Sequence, residues 1–332
     1  MRSTLIAFAL GLLLLPAAGQ TPSDAAGKAA PAKIGAYYFD GWNPNDSHVT
    51  DRLKTEFANR EPVWGWYDDT GKIMEQQIDL AANAGLSFWS FCWYWPEKED
   101  KQTPLNQALS LYLKAPNRDR LGFCLMVANH GGYRIGPKDW PAVRAQWIAL
   151  FKQPTYLTVD RKPLLIFFSP GELLKAFGAP EAVKAAFDQL RADAKAAGLP
   201  GISIAACATP GPQNGWNDLG ELRACGFDLF TGYNYHGYAI PGQAKPASKE
   251  QAFASMISGH ENIWDLFAQR SDCPYIPVVT TGWDKRPWEA VAAPMRNGTS
   301  ITPTAHPCSS NNSSAKPSRG SRPTPLTPPP KS

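Results

Sequence analysis

The stretch MEQQIDLAANAGLSFWSFCWYW, residues 74–95, joins a helix to a buried strand and so indicates the fold class. The spacing of apolar residues over 73–84 predicts a helix, which Gly85 ends. The segment that follows, 86–93, is apolar at almost every position instead of alternating with polar residues. A strand buried on both faces is typical of a parallel sheet covered by helices. We expect the core-facing side chains of the helix to be Ile73, Gln77 and Leu80.

The same unit of helix and apolar strand recurs along the chain, which predicts an α/β protein. The predicted strands, with helical patterns between them, are 33–40, 86–93, 121–128, 163–169, 202–207, 227–233 and 275–281. An open doubly wound sheet is the alternative, but residues 39–42, Phe-Asp-Gly-Trp, replace the glycine-rich phosphate loop after the first strand. Even spacing over about 250 residues favours a TIM-like (β/α)₈ barrel. Seven strands are recognisable and the eighth is missing, so the barrel is expected to be incomplete.

Composition and charge narrow the class of protein. The chain is 43% hydrophobic and 19% charged, as in globular proteins, and its 12 tryptophans stand out. The net charge of +4 comes from the Lys and Arg of an acid-free C-terminal tail, and no basic stripe predicts a nucleic-acid partner. No CxxC or Cys/His cluster predicts a metal site, and we expect no metal or other cofactor.

The six cysteines divide into two groups. Cys92, Cys124 and Cys207 lie within apolar strand-like runs, where cysteine behaves as a small hydrophobic residue. Cys225 and Cys273 are candidates for a disulfide, a question that the spacing leaves open.

The N-terminus has the pattern of an export signal. Arg2 precedes an apolar stretch over 5–15, and residues 17–19, Ala-Ala-Gly, form a small-residue cleavage site. We therefore predict a cleaved signal peptide over 1–19, a flexible leader over 20–32 and a secreted or periplasmic protein without a stable membrane anchor. An uncleaved anchor is the alternative.

Aromatic and polar residues gather where the predicted strands end. Active sites of such barrels lie at the C-terminal ends of the strands. Aromatic rings pack on the C–H faces of a sugar, and amide, carboxylate and imidazole groups bind its hydroxyls, as in other pockets with apolar walls and a few polar groups. The sequence therefore predicts a polysaccharide or glycan as the partner. Asp40 and Asp284 are the candidate pair of carboxyl groups for glycoside hydrolysis, whereas Glu97 and Asp160 are less well placed.

Simpler interpretations stay open for single residues. His130 and His236 could be structural histidines, and Asp284 with Arg286 could form a mutual ion pair. A metal site formed by Asp40 and His236 lacks any supporting ligand spacing.

Five segments in order resemble a known family: YYFDGW (37–42), MEQQIDLAANAGLSFWSFCWYW (74–95), FCLMVANHGG (123–132), PTYLTVDRKPLLIFF (154–168) and TTGWDKRPW (280–288). The chain resembles the glycoside hydrolase family 99 enzymes, endo-α-mannosidases and endo-α-mannanases, and the related WbsX-type domain proteins. The resemblance implies a barrel over 33–289 that acts on glycosidic bonds without a metal, with α-mannan as one substrate. The candidate sugar contacts are Tyr37, Trp42, Trp93, Tyr94, Asn129, His130, Tyr233, Tyr235, His236, Trp283, Arg286 and Trp288.

The chain departs from that family at its C-terminal end. The family's catalytic glutamates lie on and after strand 8 in a segment like Asn-Glu-Trp-x-Glu-Gly, which is absent here, and Glu289 is the last acid. The Pro/Ser/Thr-rich tail, 290–332, cannot bury enough apolar surface to fold. We interpret the tail as frameshifted sequence or a gene-model error, with a natural Pro-rich linker as the alternative. Open edges at strands 1 and 7 would then lower stability and impair activity.

Three functions remain as hypotheses. The first is an exported glycoside hydrolase, impaired by loss of the strand-8 glutamates. The second is a glycosyltransferase-like protein of surface polysaccharide assembly. The third is a glycan-binding protein without catalytic activity.

Overall fold

The computed structural model describes residues 32–43, 48–66, 70–98, 103–210, 218–235, 252–270, 272, 274–282 and 284–289. Contacts divide the chain into two compact units, Met1–Lys33 and Ile34–Ser332. All the helices and strands among the described residues belong to the second unit. The predicted signal peptide, most of the leader and the tail lie outside the described residues. Within the described ranges, no helix has both the length and the apolar character needed to cross a bilayer.

A parallel sheet forms the centre of the second unit, as predicted. Its strands are β1 (Gly35–Tyr38), β2 (Phe88–Trp93), β3 (Gly122–Val127), β4 (Thr158–Val159), β5 (Lys162–Phe167), β6 (Ser203–Cys207) and β7 (Leu229–Thr231). The order is β1-β2-β3-β5-β6-β7, all parallel, and β4 pairs antiparallel with β5. The predicted class, an incomplete (β/α) barrel, is confirmed.

Helices alternate with the strands. They are α1 (Asp51–Glu56), α2 (Gly71–Asn83), α3 (Gln107–Lys114), α4 (Trp140–Phe151), α5 (Pro170–Phe177), α6 (Pro180–Ala196), α7 (Leu219–Ala224) and α8 (Ser255–Arg270). Single 3₁₀ turns occupy Ala58–Arg60, Pro104–Asn106, Arg118–Arg120 and Arg286–Trp288.

The seventh predicted strand, 275–281, is an irregular extended segment instead of a regular strand. One parallel bridge, Phe230 to Tyr275, joins it to β7. The amide of Phe230 donates to the carbonyl of Pro274 at 3.0 Å, and the amide of Ile276 donates to the carbonyl of Phe230 at 2.9 Å. Pro274 and Pro277 have no amide hydrogen, so a continuous ladder cannot form along this segment.

The predicted core face of α2 is wrong by one position. Met74 and Ile78 are fully buried, whereas Leu80 is 56% exposed and Gln77 accepts a hydrogen bond from the hydroxyl of Tyr38 at 2.7 Å. Each residue of a helix is rotated by 100° from the last. Because the prediction is one residue early, the predicted residues lie on a face of the helix about a quarter turn away from the face that contacts the core.

An aromatic layer fills the space between the sheet and its helices. Phe167 of β5 is fully buried, with ring centroids 5.9 Å from Trp147 of α4 and 5.3 Å from Phe187 of α6. Trp147 also lies 5.6 Å from Trp93 of β2. Burial of one such side chain contributes about 1.5–3 kcal/mol, so this layer is a main source of stability.

The described cysteines are buried free thiols, as predicted for the three in strands. Burial raises the pKa of Cys124 and Cys207 to about 12. Cys225 is also free and buried, and Cys273, its candidate partner, lies outside the described residues.

Truncation of the aromatic layer should destabilise the barrel. We expect Phe167→Ala to lower the free energy of unfolding by about 3–5 kcal/mol, because it opens a cavity that the rigid layer cannot close. Leu80→Ala, on the exposed side of α2, should change it by less than about 0.5 kcal/mol. Urea denaturation followed by tryptophan fluorescence measures both, and equal effects would contradict this account.

Candidate functional site

Five ring-bearing side chains form a continuous arc across the C-terminal ends of β1, β2, β3, β5 and β7. Tyr94 lies 6.1 Å from His130 between ring centroids, and His130 lies 5.4 Å from Phe168. Phe168 is 5.3 Å from Tyr233, which is 5.1 Å from Tyr37. We call these five residues the mouth arc. Four of them are predicted site residues, and the structure brings them to one surface.

Tyr37 fixes the arc by crossing the interior of the barrel. Its hydroxyl donates to the carbonyl of Gly232, just past β7, at 2.7 Å. Burial raises the pKa of Tyr37 well above its usual value, and the nearby thiol of Cys207 raises it further. The phenol therefore stays protonated and acts as a fixed donor.

His130 lies at the centre of the arc and is half-buried. Tyr94, Tyr133 and Phe168 meet its ring edge-on. Burial lowers the pKa of His130, and the carboxylate of Glu172 on α5 partly opposes that shift. The imidazole is therefore neutral at pH 7, with one donor and one acceptor nitrogen. Neither nitrogen has a hydrogen-bond partner among the residues that the structure describes.

Asn129 has a positioning role that the sequence did not indicate. It is 1% exposed, its side-chain amide donates to the carbonyl of Ser169 at 2.7 Å, and its side-chain carbonyl accepts from the amide of Ser169 at 3.0 Å. These two bonds tie the end of β3 to the start of α5.

Two further predicted sugar contacts lie behind the mouth arc. Trp93 is 4% exposed and stacks on Trp95 at 6.0 Å, in the layer that also contains Trp147. Tyr235 is 3% exposed, and its hydroxyl lies 2.8 Å from that of Tyr275. The amide of Tyr235 donates to Thr280 at 3.1 Å, so the residue holds the irregular segment onto β7. His236 and Trp283 lie outside the described residues.

The loops that follow β1 and the irregular segment pack together. The rings of Trp42 and Trp288 lie 6.3 Å apart, and the indole of Trp288 donates to the carbonyl of His48 at 2.7 Å. The structure thus pairs these two predicted sugar contacts across 246 positions of sequence, from 42 to 288.

Both predicted catalytic acids have protein partners. Asp40 is 4% exposed and accepts from the amide of Ala108 at 2.6 Å, near the N-terminus of α3. Asp284 accepts from Arg286 at 2.8 and 2.6 Å and from Arg60 at 2.6 Å, which is the mutual ion pair considered as the simpler interpretation. Arg286, and then Arg60, hold the pKa of Asp284 well below its usual range although partial burial opposes them. Asp284 therefore stays ionised and cannot serve as a proton donor near neutral pH.

Several residues of the mouth were missed from sequence. Phe168 was assigned to the interior of a strand, and Tyr133 was not among the candidate residues. Glu97, which the sequence analysis named as a less well placed acid, forms an ion pair with Arg134, with Oε1 2.9 Å from Nε and Oε2 3.2 Å from Nη2. This contact lowers the pKa of Glu97. Glu172 opens α5 close enough to act on His130. Examining the first residues after each strand would have found Phe168 and Glu172.

Among the described residues, no group of three or more His, Cys, Asp or Glu side chains could hold a metal ion. The candidate site is formed by rings, hydroxyls, one imidazole and paired charges.

A protein-family model described as Glycosyltransferase WbsX matches residues 58–303. None of the curated proteins compared with the chain matches it.

Solved structures of GH99 endo-α-mannosidase from Bacteroides thetaiotaomicron are similar in fold. With bis-tris propane bound, the TM-score is 0.51 at 16% identity, over 78% of this chain and 74% of that chain. A second structure of the enzyme gives 0.47 at 14% identity, over 73% and 70%. A glycoside hydrolase-like protein gives 0.47 at 15% identity, over 74% and 70%. At 16% identity, the similarity to the structure with bis-tris propane bound shows the fold alone.

Loss of the Asp284 carboxylate should change the acid sensitivity of the protein. The folded-state pKa of Asp284 lies below the value of about 3.9 for an unfolded aspartate. Its stabilising contribution is therefore complete above that pH and is lost as the pH falls through the folded-state pKa. We expect Asp284→Asn to be less stable than the wild type at neutral pH and to lose less stability on acidification.

Urea midpoints measured from about pH 7 down to about pH 2.5 give the comparison. Asp265→Asn, which removes an exposed carboxylate from α8, is the matched control. Identical acid dependence of the wild type and Asp284→Asn would contradict the assignment.

Proposed function

The chain belongs to the family described as Glycosyltransferase WbsX, and from that premise we propose that it binds a glycan across the mouth arc and acts on its glycosidic linkages. The family match confirms the resemblance drawn from the sequence. The mouth arc is the observation that carries the proposal: it aligns five rings at the end of the barrel where (β/α) barrel enzymes act.

The chemistry of the arc suits a sugar. The faces of Phe168 and Tyr233, which are partly exposed, can pack against the C–H faces of a pyranose. The neutral imidazole of His130 can accept from one sugar hydroxyl and donate to another. We propose that His130, Phe168 and Tyr233, which are partly exposed, contact the glycan directly. The buried residues Tyr94, Asn129, Trp93 and Tyr235 support them from behind.

Hydrolysis is the first candidate reaction. The fold shared with an endo-α-mannosidase supports it, and α-mannan is accordingly the first substrate to test. The predicted export signal supports it as well, because sugar-nucleotide donors are cytoplasmic. We propose a secreted or periplasmic location on the basis of that signal. Glu172, whose carboxylate acts on His130, is the candidate carboxyl group at this site, because Asp284 stays ionised and Asp40 is buried against α3.

Glycosyl transfer is the second candidate, and the family's name supports it. A panel of polysaccharides assayed for new reducing ends and a panel of sugar nucleotides assayed for donor consumption separate the two. New reducing ends select the hydrolase, and donor consumption selects the transferase. Tight binding without turnover selects a glycan-binding protein, and no binding to any glycan refutes the proposal.

A matched pair of substitutions tests the arc. We expect Phe168→Leu to weaken glycan binding about tenfold, which corresponds to about 1.4 kcal/mol, because the flat ring face is lost. Phe187→Leu, the same change in the layer beside α6, should lower the free energy of unfolding and leave the glycan dissociation constant unchanged. Isothermal titration with a mannan oligosaccharide measures binding. Equal dissociation constants for the two variants would contradict glycan binding at the mouth arc.

The protonation of His130 gives a second test. Its lowered pKa keeps the ring neutral down to a pH below the ordinary value of about 6.5. We expect wild-type affinity for a neutral glycan to be constant near pH 7 and to fall in the acid range, where protonation removes the acceptor nitrogen. His130→Gln should bind more weakly at pH 7 and show a flat profile. If the loss of affinity at acid pH persists in His130→Gln, the titrating group is a different residue.

A further inference from the structure

His260 of α8 is a buried histidine, 5% exposed, and both nitrogens of its ring have hydrogen-bond partners. Nδ1 lies 2.7 Å from the carbonyl oxygen of Met256, one turn earlier in the helix. Nε2 lies 3.0 Å from the amide nitrogen of Thr280 and 2.8 Å from its hydroxyl oxygen. The side chain of His260 therefore joins α8 to the irregular segment, 275–281, that leads to the mouth.

The partners of His260 fix the tautomer of its ring. A backbone carbonyl can only accept a hydrogen bond, and a backbone amide can only donate one. Nδ1 therefore carries the proton that it donates to Met256, and Nε2 has the lone pair that accepts from the amide of Thr280. Because the bond at one ring nitrogen determines what the other nitrogen can do, Nε2 is a fixed acceptor.

Thr280 connects His260 to the residues that follow β7. Its hydroxyl oxygen accepts from the amide of Tyr235 at 3.1 Å, and a hydroxyl can accept there while it donates to Nε2 of His260. Tyr235 also meets His260 directly, with ring centroids 5.6 Å apart. Thr280 and Tyr235 are both buried, so these contacts are shielded from water. His260 thus holds Tyr235 in two ways, through Thr280 and by ring contact.

Tyr233, a ring of the mouth arc, lies between two held points of the backbone. Gly232, the residue before it, accepts from the hydroxyl of Tyr37, and Tyr235, two residues after it, donates to Thr280. A binding side chain is placed accurately when the residues around it are themselves held by hydrogen bonds and packing. Loss of the contact at Tyr235 would remove one of these two constraints on Tyr233.

The contacts between α8 and the irregular segment change in kind along their length. At the end away from the mouth, Phe267 stacks on Tyr275 with ring centroids 4.0 Å apart. At the end next to the mouth, His260 bonds to Thr280 through polar atoms. Burial of a polar ring has a free-energy cost that apolar packing avoids, so stability alone does not account for a histidine at this position.

We propose that His260 is a positioning residue of the glycan site. Through Thr280 it fixes the backbone at Tyr235, and it thereby sets the place of the Tyr233 ring against which a sugar packs. His260 is buried, so it acts without contacting the glycan. This inference rests on the proposed function, since it concerns the same site.

Two matched pairs of substitutions test the hydrogen bonds. His260→Gln retains a side-chain oxygen that can accept from Thr280, whereas His260→Met has a similar size and no comparable acceptor. Thr280→Ser retains the hydroxyl, and Thr280→Val replaces it with a methyl group. We expect His260→Met and Thr280→Val to raise the dissociation constant about tenfold, one decade, in isothermal titration with the glycan that the wild type binds, beginning with a mannan oligosaccharide. His260→Gln and Thr280→Ser should bind nearly as tightly as the wild type.

A substitution elsewhere in α8 separates positioning from stability. Ile263 is 1% exposed and lies in the next turn of the helix after His260. Ile263→Ala should open a cavity and lower the urea midpoint of unfolding, but leave the dissociation constant unchanged. A loss of affinity in Ile263→Ala equal to that in His260→Met would show that loosening of α8 is sufficient, and would overturn the inference.

The tautomer of His260 gives a readout on the wild-type protein. Long-range ¹H–¹⁵N NMR of the full chain with labelled histidine, at neutral pH, shows which ring nitrogen carries the proton. The resonance that is absent from His260→Gln identifies the residue. We expect the proton on Nδ1, and a proton on Nε2 would overturn the inference.

The outcomes separate this inference from the proposed function. If the wild type binds a glycan and the two members of each pair bind it equally, the positioning role is wrong and the glycan site stays in place. If the wild type binds no glycan, the proposed function fails and the inference fails with it. The pair at Thr280 decides the question even if His260→Met does not fold.

Discussion

One cross-barrel contact holds the sheet in the shape on which the candidate site depends. β1 and β7 are at opposite ends of the strand order, yet Tyr37 reaches from β1 to the carbonyl of Gly232 and to the ring of Tyr233. A flat sheet would separate these groups by the width of four intervening strands. Because the ends meet, the C-terminal ends of the strands surround one space, and the side chains that follow them are brought together.

Polar groups around that space are of two kinds. Asn129 and Asp40 use their side chains to bind backbone groups of α5 and α3, so they hold loops in place. The ring nitrogens of His130 and the remaining donors of Arg60 have no such partner among the described residues. Buried polar groups need hydrogen bonds, whereas partly exposed ones can remain available for a ligand. This difference separates the residues that hold the site in place from the residues that are available to bind a ligand.

Much of the fold could be predicted from sequence, because strands buried on both faces leave continuous apolar runs. The six runs that become β1, β2, β3, β5, β6 and β7 were recognised in order. The irregular segment after α8 was not distinguished from a strand, since its apolar pattern conceals the effect of Pro274 and Pro277 on pairing. The helix α2 was predicted correctly, except for the face that it buries. The site was harder to predict, because the partners of Asn129 and Asp40 lie 40 and 68 residues away and no local pattern reveals them.

The thiols inside the barrel have a consequence for the chemistry of the folded chain. A thiol exchanges with disulfides only as the thiolate, and burial keeps Cys124 and Cys207 protonated far above physiological pH. Once the barrel has closed, these cysteines are therefore inert toward oxidants that would scramble an unfolded chain. Folding itself protects them from mispairing, and the rate at which an alkylating reagent modifies them reports how often the barrel opens.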